Sequence, residues 1–195
     1  MPGRPLEFEP AAAIERAMYA FWHAGYAATS VQDLVEATGV PRQSIYNTLG
    51  DKRTLYLSAL ECYIEIESER LAGLRSAEGD LQMLAAYLED TVRELTLTGI
   101  ERHGLFHANA AAELGPHDEA VAALIQRHMR STSAAFARAL RQGVDARQVR
   151  ADIDTTVAAR GLAQLLQGMA IASRAGATRR SLLEVASNAI HSLSA

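Results

Sequence analysis

Two short amphipathic segments meet at Gly39, and few architectures accommodate such a pair. Thr29-Ser30 supplies hydroxyls to cap the first segment, and Gln32 stands three residues after Thr29, as a capping box requires. Val31, Leu34 and Val35 form the inner face of its roughly two turns. Gly39 then provides the positive φ that a tight turn needs. Val40 and Pro41 follow, and Pro41 suits the first turn of a helix because its missing N–H costs nothing there. In the second segment Ile45 faces inward, while Arg42, Gln43, Ser44, Tyr46, Asn47 and Thr48 face outward. This is the sequence form of a helix-turn-helix, whose second helix presents its N-terminal residues to base edges and phosphates in a major groove. Arg42 and Gln43 have the groups to pair bidentately with guanine and adenine respectively.

The flanking sequence is helical throughout. Ile14, Ala17, Met18, Phe21 and Trp22 recur at helical spacing over residues 10–24, which assigns Phe21 and Trp22 to the core, and Gly25 is the stop. Gly50-Asp51 breaks the second short helix, and Asp51 caps a long one over about 52–74. The run SAEGD at 76–80 is a boundary, followed by helices at about 80–98, 104–114, 117–142, 153–175 and 179–193. Gly99, Gly115-Pro116, the polar run Gly143 to Asp152 and Gly176 mark the breaks. Alanine and leucine dominate, which favours helix nearly everywhere. The expected fold is all-α, with about nine helices: a three-helix N-terminal domain over 1–51 and a larger domain over 52–195, connected by the 52–74 helix.

Composition narrows the function classes. Hydrophobic residues make up 49% and charged ones 22%, ordinary values for a globular chain. No stretch approaches the roughly 20 apolar residues of a membrane span, and MPGRPLEFEP lacks the apolar run of a signal peptide, so a cytoplasmic protein is expected. Cys62 is the sole cysteine, which leaves no intramolecular disulfide and no cysteine-based zinc site. The net charge of −4 argues weakly against nucleic acid, but from Val40 to Arg53 the chain carries Arg42, Lys52 and Arg53 against Asp51. Lys52 is the only lysine in the protein.

The stretch GYAATSVQDLVEATGVPRQSIYNTLGDKRTLYLSAL resembles the N-terminal domain of the tetracycline-repressor family. Gly25-Tyr26, Thr29-Ser30, Gly39, Tyr46, and Lys52 with Leu55 stand at that family's spacing, over about residues 10–60. The resemblance implies a repressor that binds a pseudo-palindromic operator as a homodimer and is released by a small molecule. It implies phosphate contacts from Tyr46 and Lys52, and base reading by Arg42, Gln43 and Ser44. Thr29 and Asn47 join the DNA-contact set, Asn47 where the family often has histidine, and Arg4 resembles arms that reach the minor groove. Val35 and Thr38 occupy positions more often held by alanine, which would shift the helix crossing.

In the C-terminal half the resemblance places the dimer interface on the last two helices, with Leu162, Leu165, Leu166, Met169, Leu182, Val185, Ala186 and Ile190 as its candidates. Candidates for a mostly apolar effector pocket are Tyr87, Phe106, His107, Asn109, Met129, Phe136 and Gln167. The segment GLFHANAAAELG is similar to one in regulators that sense electrophiles through a cysteine after the glycine. Leu105 fills that position here, so the mechanism does not transfer. His103, His107, His117 and His128 lack acidic or cysteine partners in order, and no metal or other cofactor is expected. Two alternatives stand beside the repressor: a helical interaction module without DNA binding, and an all-helical enzyme using His107 or Glu113. G-x-S-x-G, phosphate-binding glycine loops and H-E-x-x-H are all absent from the sequence, which disfavours the enzyme.

Overall fold

The computed structural model describes residues 8–76, 78–97 and 103–195. Arg4 and Gly99 lie outside the described residues. Helix α1 (Pro10–Ala24) starts on a proline, where no N–H is lost, and ends at Gly25 with φ 85°. Helix α2 (Val31–Thr38) and helix α3 (Arg42–Thr48) are joined through Gly39, which takes φ 70° as the turn demands. The N-cap of α2 is Ser30, and its capping box closes on Asp33 instead of joining Thr29 to Gln32: Asp33 N–H donates to Ser30 Oγ at 3.1 Å, and Ser30 N–H to Asp33 Oδ2 at 2.7 Å. Thr29 is displaced from the cap because its hydroxyl turns inward and donates to Gly25 O at 2.6 Å.

Helix α4 (Lys52–Arg70) is capped by Asp51 and stops short of the predicted end at 74. Leu71, fully buried, has ψ −4° and separates α4 from the one-turn helix α5 (Ala72–Arg75). That break accounts for ten helices among the described residues where about nine were expected. Helices α6 (Leu81–Leu95), α7 (Phe106–Glu113), α8 (Glu119–Asp145), α9 (Thr155–Arg174) and α10 (Arg179–His191) complete the chain. Helix α8 runs through Gly143, which sequence patterning treats as a break. A Cβ there would stand 2.7 Å from Val149 Cγ2, so the glycine is a seat for the returning chain. No strand forms among the described residues, apart from an isolated bridge between Val149 and Ser194.

Two apolar clusters hold the molecule together. The first joins Met18 and Phe21 of α1, Leu34 of α2, Ile45 of α3 and Leu55, Tyr56 and Leu60 of α4 to Phe106 and Ala110 of α7 and Val121 and Leu124 of α8. The second is built from α6, α8, α9 and α10 around Leu84, Leu88, Phe136, Leu140, Leu162 and Leu166. The helix-turn-helix therefore does not close its own core; α7 and the start of α8 complete it.

The C-terminal unit also buries two imidazoles. The rings of His107 and His128 meet edge to face with centroids 4.5 Å apart. Burial holds both in the neutral form: His107 falls well below its ordinary value, and His128 falls from 6.5 to about 4, helped by Arg75. The unfolded chain then takes up protons as pH drops below 6.5 while the folded chain does not. Stability is full above the unfolded value and is lost as pH falls toward the folded one. For His128 alone the loss by pH 5 is about 2 kcal/mol. Urea unfolding of wild type and His128→Gln at pH 7 and pH 5 checks this. The variant is expected to lose less stability on acidification, and parallel losses would refute the assignment.

Candidate nucleic-acid interface

Helix α3 is anchored by two side chains and open elsewhere. Ile45 is 2% exposed and Leu49, just past its end, is 8%. Those anchors turn Arg42, Gln43, Tyr46, Asn47 and Thr48 to solvent, with Ser44 half-buried. The exposed residues also organise one another. Gln43 Nε2 donates to Asn47 Oδ1 at 3.1 Å, and the Arg42 guanidinium lies 5.7 Å from the Tyr46 ring centroid. The Gln43 amide is therefore engaged within the helix face, and any contact to a base would have to replace this bond.

Lys52 opens α4 beside this face, its ammonium 4.4 Å from the Tyr26 ring centroid. Its neighbour Arg53 is not free for DNA: Nε and Nη2 donate to Asp118 at 2.6 and 2.9 Å. Thr29 is 1% exposed, so its side chain is withdrawn from any phosphate and the DNA-contact set loses it. Ser30 takes the exposed N-cap position instead. Thr38, unusual in size for its place, uses its hydroxyl to accept the N–H of Val40 at 3.1 Å while donating to Leu34 O at 2.7 Å. Arg16 Nη1 adds a bond to Thr38 O at 3.1 Å. The turn is thus braced from α1.

The face is held by the segment around α7. Glu113, at the end of α7, accepts the N–H groups of Tyr26 and Ala27 at 2.9 and 2.7 Å. Trp22 Nε1 donates to Gly104 O at 3.2 Å. Sequence reasoning weighed Glu113 only as a catalytic acid. Nothing local marks a carboxylate whose partners lie 87 and 86 positions away.

The pocket candidates divide. Tyr87, His107, Met129 and Gln167 line one cavity, together with Glu67, Leu105, His128, Thr132, Ala163 and Leu166, closed down to about 10 Å³. Phe106 instead packs in the N-terminal core against Tyr56 and Tyr63, with ring centroids 5.5 and 5.8 Å away. Phe136 is core as well, edge-on to Tyr87 at 5.6 Å. Asn109 ties the start of α7, its Nδ2 donating to His103 O at 2.6 Å. Within the cavity wall His107 Nδ1 and Thr132 Oγ1 are buried without hydrogen-bond partners. Glu67 is engaged, accepting from Arg70 at 2.7 Å and from the Tyr87 hydroxyl at 3.4 Å. Among the described residues no three His, Cys, Asp or Glu side chains stand close enough to hold a metal. Burial pushes the Cys62 thiol up, which disfavours the reactive thiolate.

The interface candidates divide too. Leu162, Leu166, Met169, Leu182 and Ala186 are each at most 4% exposed and belong to the protomer's own core. Leu165 and Ile190 are partly buried against it, and Val185 stands 41% exposed. The free face of α9 is a different one: Val157, Gly161, Gln164, Gly168 and Ile171.

An exposed polar recognition helix on a helix-turn-helix, carried by a larger helical domain, defines a DNA-binding regulator. Comparison with known proteins fixes which kind. Residues 13–59 match the profile of bacterial regulatory proteins of the tetR family, and residues 81–189 match the tetracyclin repressor-like C-terminal domain. The chain is 32% identical over 189 residues to the HTH-type transcriptional repressor ComR of Escherichia coli strain K12, covering 94% of this chain and 88% of ComR. It is also 32% identical over 170 residues to the uncharacterized HTH-type transcriptional regulator YezE of Bacillus subtilis strain 168, covering 83% of this chain and 84% of YezE. A cysteine mutant of the TetR family regulator CifR, solved with a 26-base-pair operator, superimposes with TM-score 0.83 at 29% identity, over 98% of this chain and all of that one. This chain belongs to the TetR family of transcriptional regulators.

The Glu113 bonds yield a prediction independent of DNA. Glu113→Ala leaves two N–H groups of the α1–α2 turn without their acceptor, and unfolding stability should fall by about 1–3 kcal/mol. Hydrogen exchange at Tyr26 and Ala27 should accelerate more than at Leu34. Unchanged protection at both amides would show that the carboxylate does not hold the turn.

Proposed function

We propose that this regulator represses transcription by binding a pseudo-palindromic operator as a homodimer, with a small molecule releasing it. One observation carries the reading: Ile45 and Leu49 anchor α3 so that Arg42, Gln43, Tyr46 and Asn47 stand clear of the protein beside Lys52. Arg42, Gln43 and Ser44 read bases, while Tyr46 and Lys52 hold phosphates and Asn47 adds to them. Arg4 extends the footprint toward the minor groove. The CifR mutant of the same family was solved on operator DNA, which supports this mode of action. The protein acts in the cytoplasm; among the described residues no helix is long and apolar enough to cross a membrane. We assign no catalysis to His107 or Glu113, since one is a buried neutral imidazole and the other is committed to backbone N–H groups.

The effector seats at the cavity of Tyr87, His107, Met129 and Gln167, which must open to admit it. Unpaired His107 Nδ1 and Thr132 Oγ1 offer hydrogen bonds that the closed form leaves unmade. Dimerisation uses the free face of α9 with Val185 of α10. Val157, Gly161, Gln164, Gly168 and Ile171 alternate in steps of four and three, the spacing of a helix-packing seam. Val157 is 54% and Ile171 56% exposed, and a Cβ built on Gly161 or Gly168 meets nothing within 4 Å. Bare glycines inside a helix cost about 1 kcal/mol each, and close approach of a second copy repays it.

Anisotropy titration on a duplex obtained by random-sequence selection tests the DNA reading. Lys52→Ala and Tyr46→Ala should weaken every duplex alike, with Lys52→Ala lowering the slope of log affinity against log salt by about 1. Arg42→Ala and Gln43→Ala should cost about 1–3 kcal/mol on the selected site and relax its sequence preference. Wild-type affinity in all four would remove the assignment.

Gly168→Glu puts charge into the α9 seam without touching the protomer core. Light scattering should find a monomer whose circular dichroism remains helical. A Gly168→Glu protein that stays dimeric places the two-fold axis elsewhere.

A further inference from the structure

A second cavity, of about 510 Å³, lies between the helix-turn-helix unit and the C-terminal unit. Its wall is formed by Tyr19, Trp22 and His23 of α1, Tyr63 of α4, Glu94 and Leu95 of α6, and the stretch from His103 to Leu105. That volume is ample for a small organic ligand. We propose that this chamber is a binding site for an uncharged aromatic molecule of one or two rings.

The walls specify the class. Tyr19 and Trp22 stack with centroids 6.2 Å apart, and Tyr63 stands edge-on to Trp22 at 5.0 Å, so a planar ring finds both a face and an edge to pack against. The indole N–H of Trp22 is already bonded to Gly104 O, which leaves the ring surface as what Trp22 offers. Tyr19 is 54% and Leu97 48% exposed, apolar area that an apolar occupant would withdraw from water. Glu94 is the acid in this wall, and its carboxylate is already engaged by Arg70 at 2.8 Å, a guanidinium it shares with Glu67, so it is not left open to pair with a cationic ligand. Leu105 lines both this chamber and the closed inner cavity.

The location gives occupancy a consequence, which rests on the repressor reading above. A ring wedged between α1 and the stretch His103–Leu105 acts on the bond from Trp22 to Gly104. Through α7 it also loads the Glu113 bonds that hold Tyr26 against Lys52. Ligand binding here is therefore expected to lower operator affinity.

N-Phenyl-1-naphthylamine, uncharged and brighter in apolar surroundings, is the probe for the full-length protein. Trp22 is the only tryptophan and lines this chamber, so its quenching reports a probe bound nearby, and the wall variants locate it. The expected result is saturable binding, one probe per chain, with quenching of Trp22 emission. Tyr19→Ala and Leu97→Glu, both at half-exposed positions outside the core, should each weaken the probe about tenfold. Arg141→Glu, in the open groove between α8 and α9, should leave it unchanged. No saturable binding up to roughly 100 µM, binding without quenching, or equal affinity in the Tyr19→Ala Leu97→Glu double variant overturns the site. Operator binding measured without probe decides the repressor reading separately. Operator affinity that does not move at saturating probe overturns the regulatory consequence.

Discussion

The carboxylate of Glu113 on the amides of Tyr26 and Ala27 is the polar contact that orients the helix-turn-helix on the apolar core it shares with α7 and α8. A turn between two helices exposes N–H groups that its own chain cannot satisfy. Here a side chain from the other unit satisfies two of them. The same short stretch supplies Gly104 O to Trp22 and Asp118 to Arg53. The recognition helix thus inherits its orientation from α7 and its flanks as much as from α4. Lys52, the sole lysine, sits on the ring of the residue whose backbone Glu113 grips, so the charge proposed to meet phosphate and the tether share one turn.

What could be read from the chain beforehand follows from the range of the interactions involved. Helix positions and the outward face of α3 depend on periodicity and on Gly39, all local, and they are legible. The capping box was misplaced by one residue because Thr29 and Ser30 offer the same hydroxyl. Only the burial of Thr29 in the core decides which of them caps. Leu162, Leu166 and Met169 read as interface because apolar residues on a helix do not declare whether they face their own core or a partner. The glycines at 161 and 168 are the local clue that supports the proposed seam, since a glycine kept inside a helix usually has a packing reason. Of the residues expected to share a pocket, Tyr87, His107, Met129 and Gln167 converge on one small cavity, while Phe106 and Phe136 are drawn into separate cores by ring packing.

The inner cavity shows how such a regulator can be poised. It is closed to about the volume of one water, yet His107 Nδ1 and Thr132 Oγ1 are left unpaired in its wall. Two unmade hydrogen bonds cost about 1–3 kcal/mol each, a cost that the proposed occupant would relieve by making them. An effector shifts the equilibrium only by its preference for one form over the other. Relief of unmade bonds is such a preference, because the gain exists only when the cavity has opened around a ligand that can make them.

The polar tethers lie beside the apolar core that the helix-turn-helix shares with Phe106, Ala110, Val121 and Leu124, and they differ from it in kind. Apolar packing holds the units together without fixing a direction. Pairs such as Arg53–Asp118, with the arginine side chain 52% exposed, contribute little to stability yet fix direction well. They are released or remade at low energetic cost. In the proposed mechanism a modest effector preference is then enough to move helices whose separation must match successive turns of a DNA groove.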